Sequence, residues 1–300
     1  MAIYLKLIPF PDEMVRPNLG ERLRRFKKKY LSLKKLTRTM ALSPRFPAEW
    51  VGLPSAVAHV VINGSHLPNY YPSGPRTAII EAHALNYDVA LKRDRNAARS
   101  PELAHLDGPR RRPLAVFLES CAPLSTDVAH TNQCRTLTQE EYYPCLLDFF
   151  GRLRAQGVDV VVAAHPKAPW EGRLEHFRDM PLFQGKSDEL VELADLVVMH
   201  YSTALTFPIL RRKPLLFLTT DQINLGYDGQ FLQATTLFLG KRAINISHDY
   251  EIDLAEAMHV EKDVYLRYER EFIRARGDDD RLFWEIVTDG LREAGLMDKA

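Results

Sequence analysis

The sequence predicts an α/β protein built on a parallel sheet, and three features of its second half carry that prediction. Residues 158–164 (VDVVVAA) are a continuous, largely β-branched run, the composition of a strand buried on both faces. Residues 114–118 (LAVFL), 195–199 (DLVVM) and 214–218 (PLLFL) repeat the pattern, and the intervals between them show helical spacing. Strand and helix therefore alternate in the order β-α-β-α-β-α-β, which makes a parallel sheet with right-handed crossovers.

In chain order, residues 2–8 read as a strand too short and too poor in basic residues to be a signal peptide. Residues 22–38 crowd nine Lys and Arg among Leu23, Phe26, Leu31, Leu33 and Leu36. This is a basic amphipathic helix, open either to water along its charged face or to peripheral contact with an anionic membrane or glycan. Strands follow at 57–62 and 78–83, separated by Asn63-Gly64-Ser65 and a turn-rich stretch from Pro68 to Pro75. The polar stretch 93–112 ends on Arg110-Arg111-Arg112-Pro113 and reads as a boundary, so the expected division is 1–112, 113–260 and a helical 261–300.

From 114 the elements are clean. The strand 114–118 ends on Glu119-Ser120, and a loop of about twenty residues carrying Asp127 and His130 follows; loops of that length in compact domains are usually functional. Thr138 with Glu141 forms a capping box, Tyr142, Leu146, Phe149, Phe150 and Leu153 keep helical spacing, and Gly157 ends the helix. The strand 158–164 stops at His165-Pro166, because proline cannot continue the ladder. A short helix, 187–193, leads to the strand ending on His200-Tyr201-Ser202-Thr203, which opens the apolar helix 204–210. Residues 262–276 and 280–295 read as two further helices, and Asp278-Asp279-Asp280 as an acidic helix start, not a metal site.

Composition removes several function classes. With 46% apolar and 26% charged residues and a net charge of +1, the chain is a globular protein with no global attraction to nucleic acid. Its three cysteines show no CxxC spacing, which points away from zinc or a disulfide framework and toward the cytoplasm. There is no GxGxxG, no GxxxxGK[ST] and no GxSxG. What remains is the set of polar strand ends, since ligands of open α/β sheets bind at the carboxyl ends of strands. Ser202 and Thr203 at a helix start offer hydroxyls and N–H groups to a phosphate, and His165 lies at a second strand end. Each has a plain structural reading beside this one: His165 as a hydrogen-bonded histidine, Ser202 as an N-cap, Glu119 tied to a neighbouring loop and Asp127 in solvent.

His165-Pro166 at one strand end, Ser202-Thr203 opening a helix about 35 residues later, and Lys213-Pro214 before a strand resemble the nucleotide-binding half of GT-B glycosyltransferases. Glu81-Ala82-His83-Ala84-Leu85-Asn86-Tyr87-Asp88, Phe117-Leu118-Glu119 with Pro123 and Asp127, and Ala163-Ala164-His165-Pro166 resemble, more narrowly, bacterial surface-carbohydrate proteins related to retaining β-Kdo transferases. The resemblance spans about 80–240. It implies a GT-B-like fold, with a Rossmann-like C-terminal domain and an abbreviated or truncated N-terminal α/β domain. It implies metal-independent transfer from a nucleotide-sugar, CMP-linked, to a glycan or lipid-linked acceptor, with no cofactor, at the inner face of the cell membrane. Glu119, Asp127 and His165 would be catalytic, Glu119 being the nucleophile. His165, Pro166, Lys167, His200, Ser202 and Thr203 would bind the donor, and His83 and Asp88 are candidates on the acceptor or donor side. Two positions depart from the pattern, Glu119 in place of an aspartate and Ser125-Thr126 in place of His-Pro. A nucleotide-binding assembly subunit without transfer and a GT-B-like nucleotide-sugar epimerase are the alternatives.

Overall fold

A computed structural model describes residues 3–6, 59–67, 78–96, 98–120, 123, 137–166, 176–177, 180–277, 280–295 and 297. Chain order is β1 (Ile3–Lys6), β2 (His59–Asn63), β3 (Ala78–Ala82), α1 (Leu85–Asn96), β4 (Leu114–Leu118), α2 (Gln139–Ala155), β5 (Asp159–Ala164) and β6 (Leu182–Gln184). Next come α3 (Ser187–Leu193), β7 (Leu196–Met199), α4 (Thr206–Leu210), β8 (Leu215–Thr219), α5 (Asp221–Leu225), α6 (Tyr227–Phe238) and β9 (Ala243–Asn245). α7 (Leu254–Ala257), α8 (Lys262–Tyr268), a π turn (Glu269–Ile273) and α9 (Phe283–Glu293) complete the order. The contacts divide the chain into unit 1, residues 1–88 with 270–300, and unit 2, residues 89–269.

Unit 2 holds a six-stranded sheet, all parallel, in the order β6-β5-β4-β7-β8-β9. From β4 the chain steps outward to β5 and β6, returns to lie beside β4 as β7, and steps outward the other way to β8 and β9. The connections after β4 and β7 therefore leave in opposite directions and open a crevice at the carboxyl ends of these two strands. All five residues of β4 and all four of β7 are buried, as the apolar runs require. α2 starts as its capping box dictates, with Thr138 Oγ1 accepting from Glu141 N at 3.3 Å, and Gly157 follows its end at φ +83°. Phe117 and Phe150 meet edge to face across the sheet and α2, ring centroids 5.2 Å apart.

Unit 1 has a parallel sheet in the order β1-β2-β3. Val61, Ile80 and Ala82 form its core with Phe283, Ile286 and Val287 of α9. The start of α9 is set by Asp88, whose Oδ1 accepts from Phe283 N at 2.9 Å, and by Glu285, whose Oε2 accepts from Leu282 N at 2.7 Å. It begins at Phe283, so the acidic run does not open the helix; Asp280 lies in a turn, and residues 278–279 are outside the described residues.

Further stretches differ from the sequence reading. Residues 89–112 pack with unit 2 through charged pairs about ninety positions apart, which periodicity does not reveal. Arg93 reaches Glu192 at 2.6 Å and Asp188 at 3.4 Å, Arg99 reaches Glu192 at 3.1 Å, and Ser100 N and Oγ donate to Glu189 at 2.9 and 2.8 Å. The helix expected over 262–276 is α-helical only to Tyr268 and continues as the π turn. There the buried Glu269 carboxylate receives Arg212, a residue in the left-handed region at φ 53° whose guanidinium also donates to Ile209 O. The short strands β6 and β9, and α5 and α6 between β8 and β9, carry no pattern strong enough to read. The basic stretch 22–38 lies outside the described residues.

Candidate functional site

The β4 end is the centre of the crevice. Leu118 pairs with Ala163 on one side and Met199 on the other, so Glu119, one residue on, lies between the ends of β5 and β7. Its backbone extends the ladder, N donating to Ala163 O at 3.1 Å, while its side chain, 5% exposed, accepts from His165 N at 3.2 Å through Oε2. That bond fixes one carboxylate oxygen against the β5 turn and joins two sequence-predicted residues directly. The same turn is held from the other side by Gln184 at the end of β6, whose Nε2 donates to His165 O at 3.3 Å and Pro166 O at 3.2 Å. His165 is half-buried and Pro166 exposed.

At the β7 end the roles divide. His200 is 2% exposed, and both ring nitrogens are engaged, Nδ1 with Leu218 O at 2.8 Å and Nε2 with Tyr142 Oη at 2.7 Å. A carbonyl only accepts, so the proton sits on Nδ1 and Nε2 accepts from the Tyr142 hydroxyl. Burial pushes His200 down to about 4, the Leu218 carbonyl pulling the other way. His200 is thus a neutral cross-brace joining β7, β8 and α2. It sits two residues before Ser202, which it helps to place. Ser202 Oγ accepts from Ala204 N at 3.2 Å as the cap of the 203–205 turn, and Thr203 is exposed beside it. Tyr201 stacks on Phe231 of α6 with centroids 5.2 Å apart.

Farther along the same sheet edge is a polar group that the sequence reading does not single out. Thr220 caps α5, its Oγ1 accepting from Ile223 N at 3.1 Å. Asp221 Oδ1 receives Asn245 Nδ2 at 2.7 Å and His248 Nε2 at 2.9 Å. The Asn245 amide, then His248, hold the Asp221 carboxyl below its ordinary range. The signal available in the sequence was position alone, Thr219-Thr220-Asp221 closing an apolar run as His165-Pro166 does.

The remaining candidates belong to unit 1 or lie outside the described residues. His83 is 0% exposed in unit 1, its Nδ1 accepting from Ala275 N at 3.0 Å and its ring against Tyr87 at 4.3 Å. Asp88, 8% exposed, holds the start of α9. Both side chains therefore tie the segment 275–283 to the β3–α1 corner of unit 1. Asp127 and Lys167 lie outside the described residues. Among the described residues no three His, Cys, Asp or Glu side chains gather as a metal-binding group, and no helix is long and apolar enough to cross a membrane.

No protein-family model and no curated protein matches the chain. Among solved structures it is similar to the wall teichoic acid polymerase TagF, at 12% identity and a TM-score of 0.46 over 87% of this chain and 63% of that one. It is similar to the glycosyltransferase SnogD from Streptomyces nogalater, at 14% identity and a TM-score of 0.48 over 98% and 66%. A third likeness is KpsC of Thermosulfurimonas dismutans, a β-Kdo 2,7 transferase, at 11% identity and a TM-score of 0.35 over 98% and 99%. The chain spans less than two thirds of the length of TagF and about two thirds of that of SnogD. The chain itself shows an α/β fold with a six-stranded parallel sheet.

Proposed function

We propose that the chain is a glycosyltransferase that takes a sugar from a nucleotide donor, a CMP-linked ulosonic acid such as Kdo, and passes it to a surface-glycan precursor without a metal ion. One observation carries the reading: the strand order puts its reversal between β4 and β7, the two strands that end on Glu119 and on the turn 200–203. A donor phosphate would take its hydrogen bonds from Ser202, Thr203 and His165, groups that can stabilise the departing charge without a cation. Glu119 would attack the anomeric carbon as the carbon–phosphate oxygen bond breaks, and the acceptor oxygen would then displace Glu119, its proton passing to a base for which Asp127 is the candidate. The His165 N–H on Oε2 supports this reading by holding the Glu119 carboxylate at the β4 end.

The burial of Glu119 favours one other reading, a subunit that binds the nucleotide and transfers nothing. Calorimetric titration of the full chain with CMP, UDP and GDP, followed by assay with CMP-Kdo and acceptor, separates the two. CMP binding with turnover supports transfer, CMP binding without turnover supports the subunit, and no nucleotide binding overturns both.

A further inference from the structure

At the far edge of unit 2, three strands from β4, a cavity of about 620 Å³ opens between α6 and the edge strand β9. At about 4.8 Å per strand the edge strand β9 is roughly 14 Å from β4. Its size suits a small molecule. Its wall is firm where α6 begins, because a Cβ on Gly229 would come within 2.3 Å of Ile223 O.

The lining is unusually polar for such a pocket and contains no carboxylate. Thr219 Oγ1 donates to Asn224 Oδ1 at 2.7 Å, which engages the oxygen of that amide and leaves its NH2 group to donate elsewhere. Thr236 Oγ1 donates to Gln233 O at 3.1 Å and keeps its lone pairs. At the other end Lys241 Nζ spends two of its three N–H groups on Glu256 O at 3.0 Å and His259 O at 2.8 Å. Glu256 and Glu261 act on Lys241 from outside the lining. Arg242, exposed, makes no hydrogen bond or ion pair among the described residues. A cationic end, amides and hydroxyls along the walls and the apolar side chains Leu232 and Leu237 match a ligand with one anionic group, several hydroxyls and a C–H face.

We propose that this cavity binds a saccharide carrying a phosphate or a carboxylate, with Arg242 on the anion and Asn224 and Gln233 on hydroxyls. The inference does not depend on the function proposed for the crevice. The test is calorimetry on the full chain with glucose 6-phosphate and glucuronate as probes and glucose and inorganic phosphate as controls. The charged sugars should bind saturably, in the millimolar range or tighter, and at least about tenfold more tightly than either control. Arg242→Gln should weaken them by about tenfold or more, and Gln233→Ala by a smaller factor, while Ser202→Ala binds them as the native chain does. Arg242 and Gln233 are exposed, so both variants should fold, which the native far-UV spectrum would verify. Whichever of the two probes binds assigns the anion. Absence of saturable binding up to about 10 mM, binding that survives Arg242→Gln or is lost in Ser202→Ala, or phosphate bound as tightly as its sugar ester would each overturn the proposal.

Discussion

Lowering the pH should weaken unit 2 through His200 before its carboxylates are protonated. In the folded chain His200 titrates at about 4, against 6.5 when free of its surroundings. Between those values the unfolded chain takes up a proton that the folded chain refuses, so stability is complete above about 6.5 and is lost as pH falls toward 4. The difference, at about 1.4 kcal/mol per pH unit, comes to about 3 kcal/mol. Protonation would also turn Nε2 from acceptor to donor and reverse the bond with Tyr142, whose hydroxyl oxygen would then accept from it. Two measurements check this. The His200 Cε1–H resonance, followed by NMR, should not move between pH 7 and 5. Urea unfolding of the native chain and of His200→Asn, which does not titrate, should show a stability gap that narrows by up to about 3 kcal/mol from pH 7 to 4. A His200 midpoint near 6.5, or a gap constant over that range, would refute the reasoning.

His165→Ala and Ser202→Ala should each weaken CMP binding by about 1–3 kcal/mol in calorimetry, the scale of a lost hydrogen bond to a charged group, with little change in the unfolding midpoint. Glu119→Gln should abolish transfer from CMP-Kdo and leave CMP binding intact, whereas near-native turnover would remove Glu119 as nucleophile; EDTA should leave turnover unchanged. Asp88→Ala deprives Phe283 N of its acceptor and should cost about 1 kcal/mol in denaturant unfolding without altering nucleotide affinity. Arg211→Met removes two bonds to the buried Asp188, at 3.0 and 3.2 Å, and should cost about 3 kcal/mol, partly recovered by Asp188→Leu in the same chain.

The elements of unit 2 from 114 to 219, β6 apart, could be read from the chain because each is a local pattern: a buried strand announces itself by composition, and α2 by its cap and its glycine. The neighbours of a strand are not local. Nothing in residues 114–119 says that β7 and not β6 lies beside β4, yet that single fact brings Glu119 next to the turn 200–203. The same limit applies to His200. Its position at a strand end was visible, but its two partners, Tyr142 and Leu218, lie 58 and 18 residues away and decide that it braces the fold. His83 and Asp88 show it again, since both bond to backbone about 190 residues on. Residues 89–112 carry charge without apolar rhythm, and their place in unit 2 follows from ion pairs that periodicity cannot report.

The discontinuity of unit 1 bears on how the protein is made. Val61, Ile80 and Ala82 emerge before any of unit 2, but the residues that cover them, Phe283, Ile286 and Val287, are added more than two hundred positions after Val61. In that interval the ribosome releases the whole of residues 89–269, a segment whose sheet needs nothing from α9 and whose alternating units pair largely in order of synthesis. Unit 2 can therefore fold while the chain is growing, with the apolar face of β2 and β3 still waiting for its cover. That nascent face is the one a chaperone would meet, and a ribosome stalled before Phe283 would hold a folded sheet of six strands and an uncovered one of three.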